Sequence, residues 1–426
     1  MSDDLDVASA PVRATVSVPG SKSIANRALV CAALADGVSH VRGCPDGDDT
    51  RAMVDGLTHL GATIVHDSDG ALTVSGHGGR VRGGGEIDAT LAGTTSRFLT
   101  AVAALGVDPT VITGAARLRS RPMRALHDSL SQLGASVEAL TEPGHLPVRV
   151  ARAGLHGGRV DLPGDVSSQF VTALMLVAPL LSDGLSLRLT SPLVSRPYVA
   201  MTAAVMATFG ASGIAIGDHS IEVASSGYRP ISFDVEPDAS SASYPLAAAA
   251  ITMGDVTVPG LTAASLQGDA VFASLLEQMG CESAIGDVAT RVRGTPSLRG
   301  IDVDMADVSD LVPTLAAVAA FAESPTHIRG VGFIRNKESD RLGDLASGLR
   351  TIGCQAEVTN DGIVISPSVP ESYRGARLAT HHDHRLAMAW SLLALRVPGI
   401  VLDDPTVVTK SWPDWWSVRA SLVAGR

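Results

Sequence analysis

Short stretches of alternating apolar and polar positions recur along the chain, and most are followed by a longer run rich in alanine and leucine. The first example is a strand-like run at residues 12–18, followed by a helix-like run that opens with Pro19-Gly20-Ser21 and continues to about Leu34. Short alternating runs are typical of β-strands, and longer apolar runs of buried helices. The pattern therefore predicts an α/β fold.

A glycine recurs where a helix-like pattern stops and an alternating strand begins. Glycine adopts the left-handed backbone conformation that ends many helices, so we expect positive φ angles at these positions. Successive members of the set are about 70 to 76 residues apart. The set comprises Gly61, Gly134, Gly210, Gly280 and Gly353.

A second marker lies between these glycines, where alanine-rich helices end and short β-branched runs such as Val256-Thr257-Val258 follow. The two markers together predict about six copies of a strand–helix–strand–helix–strand unit, three in each of two similar domains. The join is expected near Val235-Glu236-Pro237-Asp238, about halfway along the chain. The second markers are Asp36-Gly37, Leu105-Gly106, Asp183-Gly184, Gly254-Asp255, Glu323-Ser324 and Pro398-Gly399.

Composition narrows the class of protein. The chain has 426 residues, of which 45% are hydrophobic and 18% charged, so it can bury a sizeable core. A formal net charge of −11 argues against nonspecific binding to nucleic acid or acidic membranes, but it permits small anionic substrates where basic residues gather locally.

Cysteine use and apolar runs predict a soluble protein of a reducing cytoplasm. The four cysteines, Cys31, Cys44, Cys281 and Cys354, form no C-x-x-C pair, so neither a zinc site nor a disulfide framework is indicated. The acidic N-terminus lacks the form of a secretion signal, and the longest apolar runs, such as residues 172–181 and 311–322, are too short to span a bilayer.

The first helix-like run begins with a candidate anion site. Ser21 or Ser23 can cap the helix, Lys22 lies at its positive end, and Ser23 and Arg27 share one face. These groups fit a phosphate or a carboxylate, and the alternative is a capped surface helix with solvated charges. A nucleotide P-loop fits poorly because it would need glycine where Val16 and Ser21 stand.

Similar polar clusters precede other helices. Ala92-Gly93-Thr94-Thr95-Ser96-Arg97 combines a close-approach glycine with hydroxyls and an arginine, and Gly164-Asp165-Val166-Ser167-Ser168-Gln169 opens a helix with two serines. Both suit an oxyanion, although Ser167 and Ser168 could simply cap their helix. Capping is the favoured interpretation of the serines that follow Pro237-Asp238.

The second half of the chain brings basic and acidic residues together. Asn336-Lys337-Glu338-Ser339-Asp340-Arg341 fits an anion site or an exposed ion-pair helix. Lys410 is by itself a loop lysine, and Asp310, before an apolar helix, is expected either to have a raised pKa and act as a base or to cap that helix. His381-His382-Asp383-His384-Arg385 could suggest a metal, but adjacent side chains point in different directions.

These motifs, in this order, resemble the 5-enolpyruvylshikimate-3-phosphate synthase family over essentially the whole chain. The resemblance rests on Gly20-Ser21-Lys22-Ser23 with Asn26-Arg27, Ala92-Gly93-Thr94 with Arg97, Arg121-Pro122, Ser167-Ser168-Gln169, Ser195-Arg196-Pro197-Tyr198, Asp310, Lys337-Glu338 with Asp340-Arg341, Asp383-His384-Arg385, and Lys410 before Pro413-Asp414.

The resemblance implies an α/β fold of two similar domains, each of three βαβαββ repeats (an inside-out α/β barrel), closing over a central cleft. Residues 19–235 would form the N-terminal domain on the shikimate 3-phosphate side. Residues 1–18 and 236–426 would form the C-terminal domain, which carries the catalytic carboxylates and the phosphoenolpyruvate-binding basic residues. Hinges would fall near residues 18–21 and 235–238.

The implied activity is 3-phosphoshikimate 1-carboxyvinyltransferase, in the shikimate pathway of aromatic amino acid and chorismate biosynthesis. The enolpyruvyl group of phosphoenolpyruvate would pass to the 5-hydroxyl of shikimate 3-phosphate with release of phosphate, without a metal or an organic cofactor. The resemblance also implies a cytoplasmic monomer with no nucleic-acid or membrane partner, and a target of glyphosate.

The resemblance assigns roles to residues. Asp310 would take the proton from the attacking hydroxyl and Glu338 would protonate the methylene carbon, with Lys22 as a third catalytic group. Shikimate 3-phosphate would contact Lys22, Ser23, Arg27, Ser167, Ser168, Gln169, Ser195, Tyr198, Asp310 and Lys337. Phosphoenolpyruvate would contact Lys22, Gly93, Arg121, Gln169, Arg341, Arg385 and Lys410.

Three positions depart from the family pattern: Leu91 and Phe333 stand where asparagine is common, and Phe98 where proline is usual. They bear on substrate affinity and on the response to glyphosate, although Gly93 favours sensitivity. The nearest rival is UDP-N-acetylglucosamine enolpyruvyl transferase, which usually carries a reactive cysteine where this chain has Ala116. A non-catalytic phosphate-ligand-binding repeat protein is the rival from another class.

Overall fold

The structure is a computed structural model that describes residues 4–68 and 70–424. The chain divides into two compact units, each with its own hydrophobic core. The first, which we call the central unit, is Gly20–Val235, and the second, the terminal unit, combines Met1–Pro19 with Glu236–Arg426.

Strands in both units are short, and they form open sheets of mixed direction. Five sheets have four strands and one has two, among the described residues. The strands are β1 (Arg13–Thr15), β2 (Asp36–Arg42), β3 (Thr63–His66), β4 (Leu72–His77), β5 (Glu86–Asp88), β6 (Thr110–Thr113), β7 (Ser136–Ala139), β8 (Val148–Ala151), β9 (Gly158–Leu162), β10 (Leu185–Leu189), β11 (Ala215–Ile216), β12 (Ser220–Val223), β13 (Ser232–Asp234), β14 (Asp255–Pro259), β15 (Glu282–Ile285), β16 (Ala289–Arg293), β17 (Asp302–Asp304), β18 (Thr326–Arg329), β19 (Gln355–Val358), β20 (Ile363–Ser366), β21 (Arg377–Leu378) and β22 (Val401–Leu402).

Helices alternate with these strands, as the apolar runs predict. The helices are α1 (Lys22–Leu34), α2 (Asp48–His59), α3 (Gly93–Ala103), α4 (Ala116–Arg119), α5 (Arg124–Gln132), α6 (Ser168–Val177), α7 (Arg196–Thr208), α8 (Ala239–Thr252), α9 (Phe272–Gln278), α10 (Val312–Ala319), α11 (Arg341–Ile352), α12 (His384–Leu393) and α13 (Trp415–Ala424).

A βαβαββ repeat organises both units. In one copy, β5 and β6 are parallel and flank α3, and α5 then leads to β7 and β8, so that the sheet order is β5-β6-β8-β7. Four other sheets have the same plan, and the predicted α/β repeat fold is confirmed. The sixth copy is smaller than expected because its sheet holds only β21 and β22, and α13 runs to the end of the described chain.

Each unit includes a sheet whose outer strand comes from a distant part of the sequence of that unit. β1 pairs in parallel with β14, with Arg13 opposite Asp255, so the start of the chain completes a sheet of the terminal unit. β13, just before the second unit boundary, pairs in parallel with β2 in the central unit. The strand predicted at residues 12–18 is shorter than expected, since only Arg13–Thr15 forms the ladder.

The five recurrent glycines end helices as predicted. Their φ angles lie between +90° at Gly210 and +112° at Gly61, within the left-handed region. In α11 the glycine is itself the C-cap, and its N–H donates to the carbonyl of Arg350. A side chain at such a position would be strained, which explains why the residue at each of these helix ends is glycine.

The first helix of each copy lies in the interior. All fourteen residues of α8 are buried, and α1 is buried from Ile24 to its end. Alanine-rich faces permit this close packing because they bring little side-chain bulk between neighbouring helices. No helix in the part of the chain that the structure describes is long and apolar enough to cross a membrane.

Candidate active site

The N-termini of the interior helices converge within each unit. In the central unit, Gln169 at the start of α6 donates from Nε2 to Oγ1 of Thr94 at the start of α3, 3.2 Å away. In the terminal unit, the hydroxyl oxygens of Ser243 in α8 and Thr314 in α10 are 3.1 Å apart. Converging helix N-termini present free N–H groups and partial positive charge, which favour anions.

Lys22 opens α1 with a carboxylate partner. Ser21 caps the helix, and the Lys22 Nζ lies 2.9 Å from Oδ2 of Asp49 in α2. Oγ1 of Thr95 donates to the Asp49 carbonyl, which ties α3 to the same pair. A surface helix with solvated charges is therefore the wrong alternative, because this ion pair is mostly buried and the helix beyond it is fully so.

Arg27 lies one turn further along α1, and only 2% of its surface is exposed. Its Nη1 donates to the carbonyl of Ser23 at 2.7 Å, so the expected proximity of these two residues is confirmed through the backbone rather than the hydroxyl. Nη2 reaches Oγ1 of Thr172 in α6 at 3.4 Å. Arg27 thus links α1 to the helix that begins with Ser167-Ser168-Gln169.

Gly93 brings two guanidinium groups together at the start of α3. A Cβ at this position would lie 2.4 Å from Nη1 of Arg121 and 2.8 Å from Nη1 of Arg97. Arg97 donates from Nη1 to the Gly93 carbonyl at 2.7 Å. The structure therefore places Arg121 against the first turn of α3, and only the absence of a side chain on Gly93 allows this approach.

The remaining predicted residues of the central unit lie at the starts of α6 and α7. Oγ of Ser167 accepts from the Gln169 N–H at 3.3 Å, so this serine caps its helix, and Ser168 is buried beside it. Ser195 precedes α7 with a left-handed φ of 54°, and its carbonyl accepts from the Tyr198 N–H. The Tyr198 ring lies 5.9 Å from Cζ of Arg27.

In the terminal unit, three cations surround the carboxylate of Asp310. Lys337 Nζ lies 2.5 Å and Arg341 Nη1 2.9 Å from Oδ1, and Arg385 Nη2 lies 2.8 Å from Oδ2. The four side chains come from three separate segments of the chain. Ser309 also receives a hydrogen bond from Lys337.

Arg341 connects this carboxylate to two others. Its Nε lies 2.7 Å from Oδ2 of Asp383, and its Nη2 lies 2.7 Å from Oε2 of Glu338. Asp383 also caps α12 by accepting from the Arg385 N–H. Lys410 Nζ lies 3.9 Å from Oε1 of Glu338, and this lysine is buried rather than an ordinary loop lysine.

The pKa values in this cluster follow from burial and charge. Burial acts to raise the pKa of Asp310, but Arg385, Lys337 and Arg341 outweigh it and hold that pKa well below its usual range. Burial lowers the pKa of Lys337. The pKa of Arg341 is raised, because the neighbouring carboxylates outweigh the effect of burial.

Two expectations about this region are wrong. The pKa of Asp310 is lowered rather than raised, because its carboxylate forms ion pairs with three cations. Asp310 also does not cap α10, whose N-cap residue is Leu311. Residues 336–340 do not form an exposed ion-pair helix, because α11 begins only at Arg341, whose side chain is 1% exposed. Lys337 reaches Asp310 from an irregular segment.

The residues that sequence reasoning missed are mostly the partners of those it found. Asp49 lies in a pair of acidic residues at the start of α2, where acids are common on any helix. Asp383 lies in the motif Asp383-His384-Arg385, but the family resemblance gives this carboxylate no role. Thr172 and Thr202 interrupt apolar helices, and a polar residue in such a run was the one available signal.

The histidines of the candidate metal motif, residues 381–385, do not come together around one point. His384 is buried while His382 is exposed, and no group of three or more His, Cys, Asp or Glu side chains is placed to hold a metal ion among the described residues. Near Pro237-Asp238, a side chain does cap α8, but it is Asp238 rather than one of the serines, because Oδ1 of Asp238 accepts from the Ser241 N–H at 2.6 Å.

Fold and site together define an α/β repeat protein of the enolpyruvyl transferase type. The enolpyruvyl transferase NikO from Streptomyces tendae shares the fold, with a TM-score of 0.78 at 19% identity over 98% of this chain and 96% of that one. EPSP synthase from Acinetobacter baumannii is similar with a TM-score of 0.81 and 26% identity, over 98% of this chain and 97% of that one.

Sequence relatives and a family model narrow this class. The model for EPSP synthase (3-phosphoshikimate 1-carboxyvinyltransferase) matches residues 7–418. The 3-phosphoshikimate 1-carboxyvinyltransferase of Nostoc punctiforme is 41% identical over 410 residues, which cover 96% of each chain. The enzyme of a Shewanella species is 40% identical over 96% of this chain and 97% of its own.

The chain belongs to the EPSP synthase family. It is accordingly a transferase of the shikimate pathway, which passes the enolpyruvyl group of phosphoenolpyruvate to shikimate 3-phosphate. The alternative of a UDP-N-acetylglucosamine enolpyruvyl transferase is not favoured.

Proposed function

We propose that Asp310, Glu338 and Lys22 carry the proton transfers of this reaction, and that the buried cations hold the anionic groups of its substrates. The observation that carries the roles of Asp310 and Glu338 is the assembly of three carboxylates and four cations in one cluster of the terminal unit, where Arg341 contacts all three carboxylates. Arginine forks suit bidentate binding of carboxylate or phosphate. The assignments of the remaining contact residues are those given by the family resemblance.

The chemistry balances with these groups. In the addition step, the 5-hydroxyl oxygen of shikimate 3-phosphate bonds to C2 of phosphoenolpyruvate, and its proton passes to Asp310. The methylene carbon C3 takes a proton from Glu338, which gives a tetrahedral adduct. In the elimination step, the proton on C3 returns to Glu338 and phosphate leaves C2 with the proton held by Asp310, which gives the enolpyruvyl product and restores both groups.

The low pKa of Asp310 makes this carboxylate a weak base for the addition step. A carboxylate with a depressed pKa is ionised and able to accept a proton, but it is a weak base. A bound phosphate or carboxylate competes with Asp310 for Arg341 and Arg385. Because each cation drawn towards substrate weakens its hold on Asp310, we expect substrate binding to raise the pKa of this carboxyl and strengthen it as a base.

Phosphate release from phosphoenolpyruvate tests the activity and the roles together. Purified protein receives shikimate 3-phosphate or UDP-N-acetylglucosamine, both with EDTA. Release only with shikimate 3-phosphate is the expected result, and release with the nucleotide sugar would contradict the acceptor. Asp310→Asn and Glu338→Gln should each lower turnover by at least about 100-fold, and near-normal rates would remove that residue from proton transfer.

We further propose that the central unit is the shikimate 3-phosphate domain and that the terminal unit is the domain of the catalytic carboxylates and phosphoenolpyruvate. The buried ion pairs proposed to bind substrate form within each unit from its own residues, which supports activity as a monomer. Four free cysteines support a reducing cytoplasm. Light scattering of the active enzyme at assay concentration checks the first point, and a mass well above 43.7 kDa would contradict it.

A further inference from the structure

Arg27 is a buried cation held entirely by neutral groups. Its Nε donates to Oγ1 of Thr202 at 2.8 Å, its Nη1 to the Ser23 carbonyl, and its Nη2 to Oγ1 of Thr172 and to the Tyr198 carbonyl at 3.3 Å. No Asp or Glu of the described chain forms an ion pair with it. Lys22, by contrast, has Asp49 as a partner.

The two threonine hydroxyls can serve Arg27 only as acceptors. Oγ1 of Thr202 donates its single proton to the Tyr198 carbonyl at 2.7 Å. In the 3.1 Å contact between the two hydroxyls, Thr172 must therefore be the donor. Both hydroxyl protons are thus directed away from the guanidinium, and the oxygen lone pairs face it. Both threonines are fully buried.

Two aromatic rings complete the surroundings of the guanidinium. Cζ of Arg27 lies 5.4 Å from the ring centroid of Phe98 and 5.9 Å from that of Tyr198. Aromatic faces attract a cation without supplying a countercharge. Burial in these neutral surroundings lowers the pKa of Arg27 to about 10, which still leaves it charged at neutral pH.

We propose that Thr202 and Thr172 are positioning residues that set the affinity for shikimate 3-phosphate, through Arg27. This rests on the proposed contact of Arg27 with that substrate. A carboxylate partner would neutralise the guanidinium and compete with the substrate anion, whereas hydroxyls and carbonyls fix its orientation and leave its charge uncompensated. Of the two threonines, Thr202 has the larger effect on the position of Arg27, because it accepts a hydrogen bond of 2.8 Å from the guanidinium and Thr172 accepts one of 3.4 Å.

The test compares Thr202→Val, Thr202→Ser and Thr172→Val by steady-state kinetics, with each substrate varied in turn. Valine keeps the shape of threonine but removes the acceptor and leaves Nε of Arg27 unsatisfied. We expect Thr202→Val to raise the KM for shikimate 3-phosphate about tenfold or more. The KM for phosphoenolpyruvate and kcat should change less than about threefold, and Thr202→Ser should restore the parent KM.

Thr208→Val is the matched control. Thr208 lies in the same helix and its hydroxyl also donates to the carbonyl four residues back, that of Ala204, but it is exposed. Melting temperatures of all variants show whether each remains folded. If Thr202→Val proves unstable, Thr172→Val carries the test, because it removes the other acceptor and is expected to shift the same KM.

Arg27→Ala separates the two possible failures. If this variant leaves the KM for shikimate 3-phosphate unchanged, the proposed contact of Arg27 is wrong. If Arg27→Ala raises that KM while the folded threonine variants match Thr208→Val, only the positioning role is overturned. Equal changes in both KM values and in kcat for Thr202→Val would also overturn it, because they indicate a general structural effect.

Discussion

The buried pair of Arg341 and Asp383 predicts a large loss of stability when its charge is removed. The two side chains are 1% and 0% exposed, and two hydrogen bonds of 2.7 and 3.2 Å join the guanidinium to the carboxylate. Breaking a buried pair by removing one partner destabilises a protein by about 3–5 kcal/mol. Asp383→Asn keeps the shape and one acceptor, so we expect a loss of about 3 kcal/mol.

The same charge change on the surface should have little effect. Asp302 and Arg329 form a pair of the same 2.7 Å length in the same unit, but their side chains are 61% and 54% exposed. Exposed pairs contribute about 0–1 kcal/mol. Asp302→Asn is therefore the matched control for Asp383→Asn, and the difference between the two variants measures the contribution of burial.

Urea unfolding followed by tryptophan fluorescence measures this difference. All four tryptophans, Trp390, Trp412, Trp415 and Trp416, belong to the terminal unit, so their emission reports on the unit that carries the pair. A loss of about 3 kcal/mol should lower the unfolding midpoint by about 1 to 2 M urea. If Asp383→Asn unfolds at the same urea concentration as Asp302→Asn, the energetic argument for this pair is wrong.

Two further predictions follow from single positions. Gly93→Ala should raise the KM for phosphoenolpyruvate about tenfold in steady-state kinetics, because its Cβ would lie 2.4 Å from Nη1 of Arg121. The control is Gly154→Ala, whose Cβ would meet no neighbour closer than 3.6 Å. Equal KM values in the two variants would contradict the steric argument. Burial, together with the nearby charge of Asp310, raises the pKa of Asp269 to about 6. Between about pH 4 and pH 6 the folded protein therefore keeps a proton on Asp269 that the unfolded chain releases, and the free energy of unfolding falls as the pH rises through this range. Urea unfolding at several pH values should therefore show Asp269→Asn gaining about 2–3 kcal/mol relative to the parent across that range, and a constant difference would contradict the shift.

Local features of the sequence were sufficient to predict the repeat. The left-handed conformation at Gly61 or Gly280 depends on a single residue and the helix before it, so the regular spacing revealed the period directly. The cap at Ser21 is equally local. The exact number of strands in the sixth copy was not predictable in this way, because strand formation depends on a partner elsewhere in the chain.

The candidate site could be predicted as a set of residues but not as an electrostatic arrangement. Family resemblance supplied Asp310, Lys337 and Glu338, yet their alternatives stayed open from sequence alone. The neutral surroundings of Arg27 were not predictable either, since its threonine partners lie 145 and 175 residues away. A side chain reveals its residue type in the sequence, whereas its partner and its burial depend on packing.

The sequence by itself determined the α/β repeat, the places where helices stop, and the identity of the ionisable groups, since each of these follows from residue type and short-range spacing. Only the tertiary structure decided which charges are paired. It brought Lys337, Arg341 and Arg385 to Asp310 from 27, 31 and 75 residues away, and this reversed the expected direction of the Asp310 pKa. Coulomb energies depend on distance through space and on exclusion of water, and neither quantity is present in the order of residues along the chain.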